Sequence, residues 1–244
     1  MKAIILAAGE ARRLRPLTLE IPKCLLLVGE KTIIDYQIEN LKLANIREVV
    51  VVTGFMADKL EQHLATNHPD IDWTFIRSTE YQKTYPAHGL WLAKAWLEET
   101  VLYLNADVIC HPEIINGVVA SEHDSITAIQ RSAWDEEEVN VILKDDSSQI
   151  AEMGKYIAKT LNDGEFIGVT KIGKVFGPEL IKVLDMYVEY EEFKKFAADA
   201  INLTIQRGHT MHALDVTNLP AIEIDTAEDL SEASKKLALI LEPA

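Results

Sequence analysis

Hydrophobic positions along this chain fall into two patterns, short unbroken runs and stretches where they recur every three or four residues. Lys2 to Leu6 is an apolar run with Ile4, Ile5 and Leu6, as expected of a strand buried on both faces. Thr32 to Ala44 has apolar residues at 33, 34, 38 and 41, which predicts an amphipathic helix. The same reading gives a strand over Glu48 to Thr53, a helix over Met56 to Ala65 and a strand over Ile71 to Arg77. Glu80 to Gly89 loosens into a loop, Leu90 to Leu97 resumes a helix, and Thr100 to Asn105 is a strand followed by a helix over His111 to Ala120. Such alternation predicts an α/β fold whose first sheet edge is parallel. After Asp124 the connections shorten. Ser125 to Gln130, Val139 to Leu143, Gln149 to Met153 and Glu165 to Ile172 read as antiparallel strands forming one wall of a cleft, with a turn at Lys144 to Ser148. Helices over Lys174 to Tyr187 and Tyr190 to Arg207 lead to strands over Thr210 to Asp215 and Ala221 to Ile224, and a helix over Ala227 to Leu241 closes the pattern.

With 244 residues, 48% of them hydrophobic, one domain over 1–244 is expected, with halves at 1–123 and 124–244. No apolar stretch reaches the roughly 18 residues of a membrane span, so a cytoplasmic protein without a membrane partner is expected. Cys24 and Cys110 are too few and too far apart for a disulfide framework or a CxxC zinc site, though Cys110-His111 is a weak candidate metal donor pair. A formal net charge of -15 disfavours nucleic acid as a partner.

Against that charge, Arg12, Arg13, Arg15 and Lys23 cluster just beyond the first strand, after Ala7, Ala8 and Gly9, whose small side chains let a ligand approach the backbone N–H groups. Neither the Walker A pattern nor the GxGxxG dinucleotide pattern is present. Two readings stand, a phosphate cradle or a buried strand followed by a solvated basic turn. Asp107 follows the strand ending at Asn105, where α/β sheets bind ligands, but it also fits a turn or helix cap. Asp225, before the final helix, is either its cap or a second carboxylate holding a divalent metal with Asp107. Glu228 and Asp229 suit the positive end of that helix.

LAAGEARRLRPLT, then Pro22-Lys23, LNADV and EIDTAEDL, in that order, resemble the motifs of the sugar-nucleotidyltransferase superfamily. Within it, EEVNVILKDDSSQIAEMGK and GEFIGVTKI look most like the bacterial phosphocholine cytidylyltransferase-like branch. The resemblance implies a Rossmann-like fold with a central mixed, mostly parallel sheet flanked by helices. It implies transfer of a nucleoside monophosphate from a nucleoside triphosphate, CTP favoured, to a small phosphate monoester such as phosphocholine or a related amino-alcohol phosphate or phosphonate, with release of pyrophosphate. A sugar 1-phosphate acceptor with UTP, dTTP or GTP is the alternative. A nucleotide-sensing module without turnover is another, although such a module would be expected to lose Asp107, Asp225 or Lys23.

By the same resemblance, Lys23, Arg13, Asp107 and Asp225 are catalytic, and Asp107 and Asp225 chelate magnesium (Mg2+). Leu6, Ala7, Ala8, Gly9, Arg13, Lys23, Gly89 and Asp107 bind the nucleotide. Trp134, Lys155, Glu165 and Gly168 bind the acceptor. A choline-like acceptor asks for aromatic faces near an acid, and Trp134 with Glu136 to Glu138, or Tyr187 with Tyr190, are candidates. The chain departs from the family pattern at Ala11, where a second glycine is usual, and in YQKTYPAHGLWLA, which lacks the asparagines of the phosphocholine enzymes. Oligomeric state is not legible.

Overall fold

The computed structural model describes residues 1–131, 138–145 and 147–241. In chain order the strands are β1 (Lys2–Ala7), β2 (Leu27–Val28), β3 (Lys31–Thr32), β4 (Glu48–Thr53), β5 (Asp72–Arg77), β6 (Val101–Asn105), β7 (Val108–Cys110), β8 (Ile126–Gln130), β9 (Asn140–Leu143), β10 (Ile150–Gly154), β11 (Gly164–Ile172), β12 (His212–Asp215) and β13 (Ala221–Glu223). The helices are α1 (Ile33–Leu43), α2 (Ala57–Asn67), α3 (Pro86–Leu92), α4 (Pro112–Ala120), α5 (Gly177–Glu189), α6 (Ala197–Gln206) and α7 (Ala227–Leu241). They flank a central mixed sheet of nine strands, in the Rossmann-like manner expected.

At the heart of the sheet, β1 runs parallel to β4 on one side and β6 on the other, and β5 continues beyond β4. The antiparallel strand β11 joins β6 to β8 and β9, carrying the sheet into the second half of the chain. Side-chain alternation divides the core. Ile5, Val49 and Val51 pack with Ile34, Ile38 and Leu41 on one face, and Ile4, Val50 and Val52 with Leu90, Leu180 and Ile201 on the other. Each fully buried isoleucine or leucine contributes about 1.5–3 kcal/mol by leaving water. A third cluster, Leu14, Leu26, Ile33, Ile109, Ile224 and Ile240, seats α7 against the basic loop and β7.

Several elements differ from the sequence expectation. The loop proposed over Glu80 to Gly89 already contains helix, because Pro86 takes the first helical position of α3, and Lys94–Trp96 is a separate 3-10 turn. The helix expected over Tyr190 to Arg207 starts only at Ala197, since α5 runs on to Glu189 and Glu191 turns into a left-handed conformation at φ 58°. Thr32 lies outside α1 as its cap, its hydroxyl accepting from the Asp35 N–H. The strands β2, β3 and β7 are too short to stand out in the hydrophobic pattern, whereas β13 falls within the strand expected over Ala221 to Ile224.

Candidate active site

The loop after β1 is held open by backbone contact. Phe55 N–H donates to Ala8 O at 3.0 Å, and a Cβ on Gly54 would lie 2.7 Å from that same oxygen, so only glycine allows the approach. Farther along, Ala11 is left-handed at φ 45°, the conformation that favours the glycine usual at this position. Thr18 Oγ1 donates to Ala11 O at 2.9 Å and pins the turn. Arg13 and Lys23 are thereby carried to the carboxyl end of the parallel strands.

The opposite wall comes from distant sequence. Strand β13 pairs antiparallel with β7, with Glu223 opposite Val108, and Ile224 N–H donates to Asp107 O at 3.0 Å. This ladder sets Asp225 beside Asp107. Lys23 Nζ lies between them, 2.7 Å from Asp107 Oδ2 and 2.8 Å from Asp225 Oδ1, while the Arg13 guanidinium donates to Asp225 Oδ2.

Neither aspartate is a helix cap. Glu113 N–H donates to His111 Nδ1 at the start of α4, and at the start of α7 the Thr226 hydroxyl and Asp229 carboxylate cap each other's backbone N–H groups. Local capping therefore leaves Asp107 and Asp225 for the cleft.

Burial works against the charge on Lys23, but Asp107 and Asp225 outweigh it and hold the ammonium well above its ordinary pKa. For Asp225, burial opposes the charge and the cations Lys23 and Arg13 prevail, keeping the carboxyl below its ordinary value. Glu223 goes the other way. Half-buried in the cleft wall and facing the negative charges of Asp107, Asp225 and Glu138, its carboxyl is raised well above the usual range by desolvation and by those charges. Asp107, Glu223 and Asp225 each present an oxygen within 4.8 Å of the others, the one such group of three ligating side chains among the described residues.

These residues close one end of a cleft of about 300 Å³. Leu6, Ala7, Ala8, Gly9, Arg13, Lys23, Gly89, Asp107 and Lys155 all line it, so the nucleotide positions and one acceptor position expected from sequence converge. A Cβ on Gly89 would meet the Leu6 side chain at 3.5 Å and Val52 at 3.6 Å, so at this glycine α3 lies close over β1 and β4 where all three residues line the cleft.

Glu165 and Gly168 do not belong to the lining. Phe166 takes the place expected of them, and Gly168, at φ 73°, packs its backbone against the Asn105 side chain where β11 is irregular. Trp134 lies outside the described residues, as do Glu136 and Glu137; Glu138 is in the lining. The aromatic pair Tyr187 and Tyr190 is elsewhere, with Tyr187 buried in the helical core and Tyr190 at the exposed end of α5. Cleft aromatics come instead from Tyr81, Tyr85, Tyr103, Phe166 and Phe196. The Tyr85 and Phe196 rings meet at 5.1 Å, and Lys155 Nζ lies 4.8 Å from the centre of the Phe196 ring.

Sequence reasoning missed Glu223 and Phe196. A signal existed for the first, since Glu223 and Asp225 stand two apart along a strand and share a face. Cys24 and Cys110 are free and buried, burial pushing each thiol up to about 12, and His111 serves α4 as a cap. Among the described residues no helix is long and apolar enough to cross a membrane.

Comparison with known proteins agrees with this geometry. A CTP:phosphoglutamine cytidylyltransferase from Campylobacter jejuni is 32% identical over 201 residues, spanning 76% of this chain and 78% of the relative. A UTP–glucose-1-phosphate uridylyltransferase from Haloferax volcanii is 25% identical over 97% of this chain and 96% of its own length. In fold, the chain is similar to the solved CTP:phosphocholine cytidylyltransferase of Streptococcus pneumoniae, with a TM-score of 0.77 at 23% identity over 97% and 98% of the two chains. The profile of the nucleotidyl transferase family matches residues 2–218. The chain belongs to the nucleotidyl transferase family.

Proposed function

We propose that this protein transfers a nucleoside monophosphate from CTP to a small phosphorylated acceptor and releases pyrophosphate. The observation that carries the reading is Lys23 held between Asp107 and Asp225 at the end of the loop 7–13, with Arg13 on the second aspartate. An acceptor phosphate oxygen attacks the α-phosphorus, and the bond from that phosphorus to the pyrophosphate oxygen breaks. The protein's part is positioning and charge. Lys23, kept protonated by its carboxylates, is a fixed point charge for the phosphates, and Arg13 supplies a planar fork at the triphosphate. Backbone N–H groups beyond β1 and the side of the cleft at Gly89 receive the nucleotide.

Asp107 and Asp225 are the residues that would hold magnesium. The fit rests on Asp107 Oδ1, which is buried and accepts no hydrogen bond, and on the hard oxygen character of the set. When bound, the ion neutralises phosphate charge.

For the acceptor, Lys155 reaches into the same cleft across Phe196 and suits a phosphate. The C. jejuni relative supports CTP with a small phosphorylated acceptor bearing an amide or amino group; phosphocholine and other amino-alcohol phosphates or phosphonates belong to the same range. Glu138 and Glu223 give the cleft acids for a cationic end. The second reading, UTP with a sugar 1-phosphate, is favoured by the H. volcanii relative, which matches nearly the whole chain.

The test is pyrophosphate release with magnesium, each common nucleoside triphosphate being offered against phosphocholine, phosphoethanolamine, aminoethylphosphonate, phosphorylated glutamine and sugar 1-phosphates. Turnover with CTP and an amino-alcohol or amino-acid-derived acceptor is expected. Turnover only with UTP, dTTP or GTP and a sugar phosphate moves the protein to the second reading, and none with any pair overturns both.

A further inference from the structure

The turn that carries Asp107 is supported on two sides, and only one of them is a strand. On that side β7 pairs with β13. Ile224 N–H donates to Asp107 O at 3.0 Å and His111 N–H donates to Pro220 O at 2.9 Å, so the bonded positions along this segment are 107, 109 and 111. In an antiparallel pair the residues between them turn their backbone groups the other way. The carbonyls of Val108 and Cys110 therefore point away from β13.

Two side chains of α1 meet them. Gln37 Nε2 donates to Val108 O at 2.8 Å and also to Asn105 O at 2.7 Å, the last carbonyl of β6. Three residues on, Asn40 Nδ2 donates to Cys110 O at 2.8 Å. Positions 37 and 40 are neighbours on one helix face, so α1 stands in for a third strand along β7. A primary amide has two N–H bonds, and Gln37 uses them on the two residues that bracket Ala106-Asp107.

Stability does not account for Gln37. The residue is 3% exposed, on a helix that also buries Ile34, Ile38 and Leu41, and its Oε1 is buried with no hydrogen-bond partner among the described residues. An unpaired buried acceptor offsets much of what two hydrogen bonds contribute. What the side chain does supply is a fixed span between Asn105 and Val108. With that span comes the place of Asp107, whose Oδ2 lies 2.7 Å from Lys23 Nζ.

We propose that Gln37 is a positioning residue for Asp107, acting through the backbone on both sides of it. The inference rests on the nucleotidyltransferase reading above and deepens it, because it ties the geometry of the charged site to α1, a helix that contributes no residue to the cleft lining. A misplacement of about 1 Å near a reacting centre can cost about 100-fold in rate, so a slack turn lowers turnover of bound substrate more than it lowers binding.

The experiment makes two measurements on the full chain, for wild type, Gln37→Met, Gln37→Asn and Asn40→Leu. Gln37→Met keeps the length and removes both donors, Gln37→Asn keeps an amide one methylene short, and Asn40→Leu deletes only the neighbouring bond to Cys110. Circular dichroism establishes folding, and should Gln37→Met fail to fold, Gln37→Asn carries the comparison. Hydrogen exchange read by mass spectrometry should be faster over residues 105–110 by about tenfold or more in the Gln37 variants, with β4 and β5 unchanged. In pyrophosphate release with a substrate pair that wild type turns over, kcat should fall about tenfold or more in the Gln37 variants and less than about threefold in Asn40→Leu, with KM for the nucleotide within about threefold. Unchanged exchange over 105–110 in the Gln37 variants overturns the positioning role. So does a kcat loss no greater than that of Asn40→Leu, or a loss confined to KM. If wild type turns over no pair, the nucleotidyltransferase reading has failed, and exchange alone decides whether Gln37 fixes the turn.

Discussion

Lys23→Met removes one ammonium and keeps nearly the same side-chain length, so it isolates the charge that joins the two walls of the site. Lys23 is 15% exposed in its side chain and its partners Asp107 and Asp225 are 21% and 23% exposed, so neither pair is a surface bridge. At an effective dielectric of about 20, unit charges about 4 Å apart attract by about 4 kcal/mol, and desolvation of the ammonium consumes much of that. Removing one partner from a buried pair costs about 3–5 kcal/mol; an open cleft screens part of it, which leaves about 2–4 kcal/mol. Asp107, Glu223 and Asp225 then repel one another without a counter-ion beyond Arg13. Against a total stability of about 5–15 kcal/mol the variant remains folded. Urea unfolding at pH 7.5, free of metal and nucleotide, should show the midpoint lowered by about 1–2 M for a slope of about 2 kcal/mol per molar. Pyrophosphate release by the folded variant should fall about 100-fold or more, the scale of losing one fixed charge at a reacting phosphate. An unchanged urea midpoint would refute the idea that Lys23 ties the walls together, and an unchanged rate would remove it from the chemistry.

Asp35 accepts from Thr32 N–H at 3.1 Å and Nε2 of His63 and His68 at 2.8 Å each, and these contacts outweigh burial to hold its carboxyl far below the ordinary range. A depressed pKa gives stability that is present above the unfolded value of about 3.9 and lost as pH falls, so Asp35→Asn should cost about 2 kcal/mol at pH 7 and less below pH about 4, in urea melts at both. Ala11→Gly should raise stability by up to about 1 kcal/mol by relieving the left-handed residue at φ 45°, and a lower melting temperature would count against that strain. Gly89→Val should weaken nucleotide binding in calorimetry by about tenfold or more, since its Cβ would already touch Leu6 and Val52 and the added methyls must take space from the cleft that all three residues line; affinity unchanged would place the nucleotide elsewhere.

What could be read from the sequence was what the chain encodes locally. The parallel strands β1, β4 and β6 stood out because burial on both faces writes an unbroken apolar run. Pro86 misled because proline marks a loop and the first residue of a helix equally well. Phe196 stayed hidden inside a supposed helix because its cap carries no Ser, Thr or Asn; the Asp199 carboxylate accepts from Phe196 N–H at 2.7 Å and does that work alone. The motifs marked Arg13, Lys23, Asp107 and Asp225, but which charges meet is decided by pairing between elements far apart in sequence. A slip of β13 by one residue against β7 would turn Ile222 and Ile224 toward Lys23 and bury Glu223 and Asp225 in the apolar cluster beneath α7. Ile224, Ala233 and Ile240 therefore set the register that puts three carboxylates around one lysine, and in that sense the apolar residues beneath α7 specify the site as much as the charged ones do.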